Sequence, residues 1–254
     1  MKKAVIILSI LAVLGITVFI AVQRFNEKTR LSLQEINHQL AVMNGDAPAR
    51  DPLEFLNLEI LVEKRLGDLN GDGTKDVVII TQQTKDDAYE VFDGNKYDRN
   101  RRGLIIAFKK DDMYHLVLKH RDCFDYYDDE TYQTETVVNI EIKDEKLYIT
   151  CSYGRYGSRT YTFRHKNEDF DFIGLDCYDR QMDNNIIEIS TSFDFLTKKI
   201  KTTSKFYTLE WEDAGTEETW KTFEFRKPLP GLSEMKKFDG FSGHIYEYIK
   251  MKTQ

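Results

Sequence analysis

Three short oxygen-bearing side chains stand at alternate positions of one segment, Asp68, Asn70 and Asp72. Alternation within a turn lets such side chains converge on one point, and carboxylate and amide oxygens are the ligands that calcium prefers. The carbonyl group of Thr74 and the carboxylate of Asp76 follow at spacings that allow both to complete the same cage. Because crowded acidic groups repel each other without a cation, the pattern favours a Ca²⁺ site over an ion-free turn.

The segment begins like an EF-hand loop, but Ile79 occupies the position of the closing glutamate. A β-branched run, Val77–Thr81, follows where an EF-hand would continue as a helix. From Ile60 to Thr81 the chain resembles the FG-GAP or VCBS calcium loop of integrin α-chain β-propellers and of their bacterial relatives. The resemblance implies that the loop joins two antiparallel strands and that the metal ligands are Asp68, Asn70, Asp72, Thr74 and Asp76. The alternative is a solvated turn that binds no ion.

The densest acidic and aromatic cluster of the chain runs from Asp122 to Glu130. It could form a second cation site or a ligand-binding loop, whereas the simpler interpretation is a solvated loop. Many glycosidases use paired carboxylates, so a secreted or envelope hydrolase with an acidic site near residues 122–130 is the alternative function. The five histidines lack zinc-binding spacing, and the chain has no nucleophile elbow or phosphate loop. The sequence therefore favours a protein that is not an enzyme.

Aromatic and arginine side chains are interleaved between Tyr148 and Arg164. Together they can stack on sugars or peptide groups and bind carboxylates. Cross-strand pairing on an exposed sheet face explains the same pattern. The hairpins that follow resemble those of uncharacterised bacterial envelope proteins with a single calcium loop, a resemblance that implies fold and location but no activity.

Residues 1–23 form a targeting or anchoring element, in which Lys2 and Lys3 precede the apolar core Ala4–Val22. A helix of this length can cross about 30 Å of hydrocarbon. The residues after the core make a poor cleavage site, so we expect an uncleaved membrane anchor. A cleaved signal, which would release a periplasmic or secreted protein, is the alternative. In both cases the rest of the chain is extracytoplasmic, where its cysteines, Cys123, Cys151 and Cys177, allow one disulfide of unspecified pairing.

Residues 24–52 are expected to form a juxtamembrane helix and a linker. Ser32 and Glu35 match a capping box, and Gly45 is a plausible helix end. The apolar residues that follow the cap are spaced as one helical stripe; they are Leu33, Ile36, Leu40 and Met43. The pattern predicts a short amphipathic helix that acts as a spacer or, less simply, as a short coiled coil.

Short alternating segments separated by turn residues predict an all-β, mainly antiparallel domain at residues 53–254. Ile60 and Val62 should point inward from a half-buried strand that leads into the calcium loop at 68–76. Hairpin turns are expected at 109–112, 143–145, 166–169 and 194–199, and the tail 238–251 could be a strand or a short helix. About ten strands are too few for a closed propeller of four-stranded blades. We therefore expect a meander shaped as a partial propeller or a sandwich.

The composition limits the partners of this domain. A net charge of −7 and the lack of a basic stripe exclude a general nucleic-acid-binding role. The hydrophobic and aromatic content is that of an ordinary folded protein. The sequence thus predicts a non-enzymatic calcium-binding β protein at the cell envelope, attached to the membrane by its N-terminal segment, that binds a partner protein or a glycan.

Overall fold

The computed structural model describes residues 34–56, 59–92, 94–124, 137–154, 157–182, 186–208, 212–235, 238 and 241–252. The predicted anchor at 1–23 and the capping residue Ser32 lie outside this range. Within it, no helix is long and apolar enough to span a membrane. The chain divides into two compact units, Met1–Ala47 and Pro48–Gln254.

The first unit contains helix α1, residues 34–44. It ends as predicted at Gly45, whose φ of 84° is accessible to glycine and whose amide donates to the Val42 carbonyl at 2.9 Å. The predicted apolar stripe is only partly correct, because Ile36 and Leu40 are each 49% exposed. Val42, which is not part of that stripe, is buried. The spacing identified an amphipathic helix but not the side that it buries.

The second unit begins with a 3-10 helix, Pro52–Phe55, and its first sheet has four antiparallel strands. They are β1 (Ile60–Gly67), β2 (Asp76–Gln82), β5 (Arg102–Lys110) and β6 (Met113–Phe124), in the spatial order β1-β2-β5-β6. Between β2 and β5, β3 (Tyr89–Phe92) and β4 (Asn95–Asp98) pair as a small hairpin.

The position of a strand in this sheet decides how much of it is buried. Val77–Ile80 of β2 and Leu104–Ala107 of β5 are fully buried, because both strands are central and both of their faces are covered. By contrast β1 is an edge strand, and its Ile60 and Val62 are 52% and 42% exposed. The prediction that Ile60 and Val62 form the inward-facing side of a half-buried strand is therefore wrong.

The second sheet contains eight antiparallel strands in the spatial order β14-β13-β12-β11-β10-β9-β8-β7. Chain order and spatial order coincide, so the sheet is the expected meander. Its strands are β7 (Val137–Lys143), β8 (Lys146–Ser152), β9 (Gly157–Lys166), β10 (Asp169–Met182), β11 (Ile186–Asp194), β12 (Lys199–Tyr207), β13 (Asp213–Phe225) and β14 (Ile249–Met251). The C-terminal tail supplies both predicted alternatives, since helix α2 (Ile245–Tyr248) leads directly into β14.

Two of the predicted hairpin turns use two residues in the left-handed region. Asp111 and Asp112 join β5 to β6 with φ values of 51° and 60°, and Asp144 and Glu145 join β7 to β8 with 51° and 57°. Turns with two positive φ values match the right-handed twist of paired strands. Asp and Asn tolerate this conformation better than most residues, which explains why polar pairs mark these turns.

The two sheets share one hydrophobic core that contains side chains from both. At its centre Tyr161 is fully buried and donates its hydroxyl to the Phe238 carbonyl at 2.9 Å. The ring of Phe238 also packs on Phe124 of the first sheet, with centroids 4.7 Å apart. At the periphery, Arg65 Nε of β1 donates to the Ile140 carbonyl of β7 at 3.2 Å, so the two edge strands are in contact. The mainly antiparallel β prediction is confirmed.

The three cysteines are reduced thiols and form no disulfide with one another. Cys151 and Cys177 both lie opposite Arg159, on either side of strand β9. Two strand spacings separate them by about 10 Å. That distance is too long for a disulfide, which requires Cα atoms within about 7 Å.

Candidate metal centre

The predicted calcium loop joins the antiparallel strands β1 and β2. The hairpin closes with Gly67 opposite Asp76, and residues 68–75 form the connection. Gly71 and Gly73 have φ values of 76° and 82°, a region that glycine enters without steric cost. These two glycines supply backbone conformations that the connection requires, and polar side chains of the loop accept hydrogen bonds from its own amides.

Asp68 organises the first half of the loop. Its Oδ1 accepts a hydrogen bond from the Gly71 amide at 2.7 Å, and its Oδ2 accepts one from the Gly73 amide at 2.8 Å. A carboxylate that binds the backbone a few residues later stabilises a tight turn without any metal. Each carboxylate oxygen has a second lone pair, so these bonds leave Asp68 able to bind a cation.

Asn70 and Asp72 continue the same pattern. The Asp72 amide donates to Asn70 Oδ1 at 3.0 Å, and the Thr74 amide donates to Asp72 Oδ1 at 2.7 Å. The amide group of Asn70 also donates to Asp72 Oδ2 at 3.0 Å. The Thr74 N–H lowers the pKa of Asp72 below its ordinary value, with a smaller contribution from Asn70. Asp72 is therefore ionised at neutral pH, as a calcium ligand must be.

Asp76 differs from the other acidic groups because it is fully buried. Its Oδ2 accepts a hydrogen bond from the Leu69 amide at 2.9 Å, and its Oδ1 accepts one from the Lys109 amide of β5 at 3.0 Å. Burial raises the pKa of Asp76, and repulsion from Asp72 and Asp68 raises it further. The three carboxylates thus interact electrostatically at one end of the first sheet.

The donor chemistry of the loop fits a hard cation, but its side chains do not form a finished cage. The five predicted ligands lie within residues 68–76 and all offer oxygen, and the Thr74 carbonyl accepts no hydrogen bond from any described residue. Within the part of the chain that the structure describes, no group of three or more His, Cys, Asp or Glu side chains is close enough to hold a metal. The carboxylates instead bind amides of the protein. Calcium binding therefore requires the acidic side chains of the loop to approach one another more closely.

One acidic residue near the loop was not identified from the sequence. A β-carbon placed on Gly71 would lie 3.4 Å from the carboxyl carbon of Glu145, which belongs to the β7–β8 turn. Seventy-four positions separate these residues in the chain, so no local spacing could have paired them. Because β1 and β7 are in contact, the β7–β8 turn lies beside the loop. Glu145 therefore adds a further negative charge there.

The other candidate segments are explained differently. Of the acidic cluster 122–130, only the end of β6 is described, where the Asp122 carbonyl accepts a hydrogen bond from Arg101 Nε at 2.8 Å. In the aromatic and arginine segment, Tyr161 belongs to the core, and Arg159 binds Asp179 at 2.6 Å and Ser242 at 3.2 Å. These two residues hold strands and the C-terminal segment together, which is a structural role.

The chain was also compared with known proteins. No protein-family model, no curated protein sequence and no solved structure matches it.

Proposed function

We propose that the β1–β2 connection binds one Ca²⁺ ion and that the protein is a non-enzymatic, calcium-stabilised binding module of the cell envelope. One observation carries the proposal: the connection and the first residue of β2 carry three carboxylates, Asp68, Asp72 and the buried Asp76, and the charges of the first two act on Asp76. A cation placed among them would relieve their mutual repulsion. The free carbonyl of Thr74 adds a neutral oxygen of the kind that such sites use.

The location of the protein in the cell is part of the same proposal. The apolar core Ala4–Val22 supports attachment to the membrane by an uncleaved helix, with the β domain outside the cytoplasm. Extracellular calcium sites function at dissociation constants of about 10⁻⁴ to 10⁻³ M. The ligand of the module would be a partner protein or a glycan.

Thermal melting of the full-length protein in calcium and in chelator tests the site. Because the loop joins two strands of the core sheet, calcium bound only to the folded state should raise the melting temperature of the whole domain. At free calcium one hundred times the dissociation constant, the gain in unfolding free energy is about 2.7 kcal/mol. Equal melting temperatures in calcium and chelator would show that residues 68–76 are only a turn.

Variants then assign the ligands. Asp72→Ala should abolish the calcium-dependent shift, because the carboxylate and both of its oxygens are lost. Asp68→Asn should weaken the shift less, since one oxygen ligand remains. Asp176→Ala is the matched control, because it removes an exposed carboxylate from the second sheet and should leave the shift intact.

A further inference from the structure

A groove lies beside the start of strand β10, far along the chain from the calcium loop. It has a volume of about 470 Å³, within the range of about 300 to 1,000 Å³ of ligand sites. One side is formed by β10 and the β11–β12 turn, and the other by the segment that follows β13. We call it the Phe172 groove; its lining residues are Asp171–Ile173, Phe195, Leu196 and Phe225–Gly231.

The wall of the groove opposite β10 is held in place. Asp169 accepts hydrogen bonds from the Ser233 amide at 3.0 Å and from its hydroxyl at 2.6 Å. Gly231 packs so closely on the Asp169 carboxylate that a β-carbon there would overlap it. Pro228 and Pro230 fix the backbone of the same wall. A ligand would therefore bind a largely preformed surface and would lose little free energy in ordering it.

The interior of the groove is aromatic, and its rim exposes further apolar surface. The rings of Phe172 and Phe195 form a nearly buried floor, with centroids 4.9 Å apart. Above them Leu196 is 56% exposed and Phe225 is 37% exposed. A single bulky apolar side chain inserted here would cover apolar surface that now faces water, which favours binding.

The rim carries an excess of positive charge, although the whole chain has a net charge of −7. The Arg226 guanidinium has no hydrogen-bond or ion-pair partner among the described residues. Lys198 lies nearby, with its ammonium group 5.7 Å from the ring centre of Phe225. The acidic group of the rim, Asp171, is already paired with Lys166 at 3.1 Å. A free guanidinium beside an apolar floor is complementary to a carboxylate attached to an apolar group.

The wall also offers acceptors for main-chain donors. The carbonyl groups of Pro228, Leu229 and Pro230 accept no hydrogen bond from any described residue. A peptide can supply N–H groups to such carbonyls, whereas the tail of a fatty acid cannot. This feature favours a peptide over a lipid as the occupant.

We propose that the Phe172 groove binds an extended segment of a partner protein in which a large apolar side chain stands next to an acidic residue. The apolar side chain contacts Phe172 and Phe195, and the carboxylate pairs with Arg226. This assignment specifies the partner in the proposed binding module and rests on that part of the proposed function, while it is independent of the calcium loop.

The test uses the full-length protein and a fluorescein-labelled peptide with the core Glu-Phe-Glu, followed by fluorescence anisotropy. Arg226→Gln should weaken binding about tenfold, the effect of losing a charge-assisted hydrogen bond. Lys205→Gln on strand β12 is the matched control and should bind the peptide as the unmodified protein does. Peptides in which Gln replaces Glu, or Ala replaces Phe, should bind more weakly than the original.

Three outcomes would overturn the proposal. The first is that binding does not saturate at millimolar peptide. The second is that the Arg226→Gln protein and the unmodified protein bind the peptide with equal affinity. The third is that the protein binds laurate but not the peptide. The last would assign the groove to lipid carboxylates. Arg226→Gln should keep the calcium-dependent melting shift, so failure of the peptide and failure of the calcium site are observed separately.

Discussion

Replacing Asp76 by Asn separates the structural role of this carboxylate from its role as a calcium ligand. The side chain is fully buried, and each oxygen accepts one backbone hydrogen bond, from Leu69 and from Lys109. Asparagine keeps the shape but offers only one oxygen. Its NH₂ group must then face one of the two amides, so two donors meet and neither has a partner.

The magnitude follows from these two contacts. Loss of one hydrogen bond to a charged group costs about 1.5 to 3 kcal/mol, and a buried donor without a partner costs about 1 to 3 kcal/mol. Removal of a buried charge offsets part of this cost, because burial disfavours the ionised form and raises the pKa of Asp76. We therefore expect Asp76→Asn to lower the unfolding free energy by about 2 to 4 kcal/mol in chelator.

Urea denaturation followed by circular dichroism, in chelator at pH 7.5, measures this loss. Asp176→Asn, which changes an exposed carboxylate of the second sheet, serves as the control and should stay within about 0.5 kcal/mol of the unmodified protein. If Asp76→Asn unfolds like the unmodified protein in chelator and differs from it only in calcium, the two backbone bonds do not stabilise the hairpin. That result would refute the structural role of the Asp76 carboxylate.

Two further predictions concern other parts of the second unit. A β-carbon on Gly67 would lie 2.5 Å from Ile142 Cγ2, so Gly67→Ala should destabilise the protein by about 1 to 3 kcal/mol. Ile142→Ala should recover part of that loss in a double-mutant cycle, and strictly additive effects would exclude the contact between β1 and β7. Burial raises the pKa of the Cys177 thiol from 9.0 to about 11, so iodoacetamide at pH 8 should alkylate it about 100-fold more slowly than in urea. The stabilisation linked to this thiol is fully present below pH 9 and is lost as the pH rises through about 11. Equal alkylation rates in the folded and the unfolded protein would contradict the raised pKa of Cys177.

The sequence by itself determined the features that depend on short-range patterns. Alternating apolar residues and polar turn pairs predicted the hairpins at Asp111–Asp112 and Asp144–Glu145, because a two-residue turn of this type requires residues that tolerate positive φ. The spacing of Asp68, Asn70 and Asp72 likewise placed a polar loop between β1 and β2. In each case the residues that specify the feature are neighbours in the chain.

Only the tertiary structure decided which strands lie at an edge and which residues meet across the fold. Ile60 and Val62 alternate as in a half-buried strand, yet they and Leu61 are all exposed, so neither face of β1 is covered at its start. Glu145 lies beside Gly71, and Asp76 binds Lys109, because separate hairpins pack together at one end of the sheet. The Phe172 groove combines β10, the β11–β12 turn and the segment after β13. Local sequence cannot specify such contacts, since they depend on how the two sheets close around their common core.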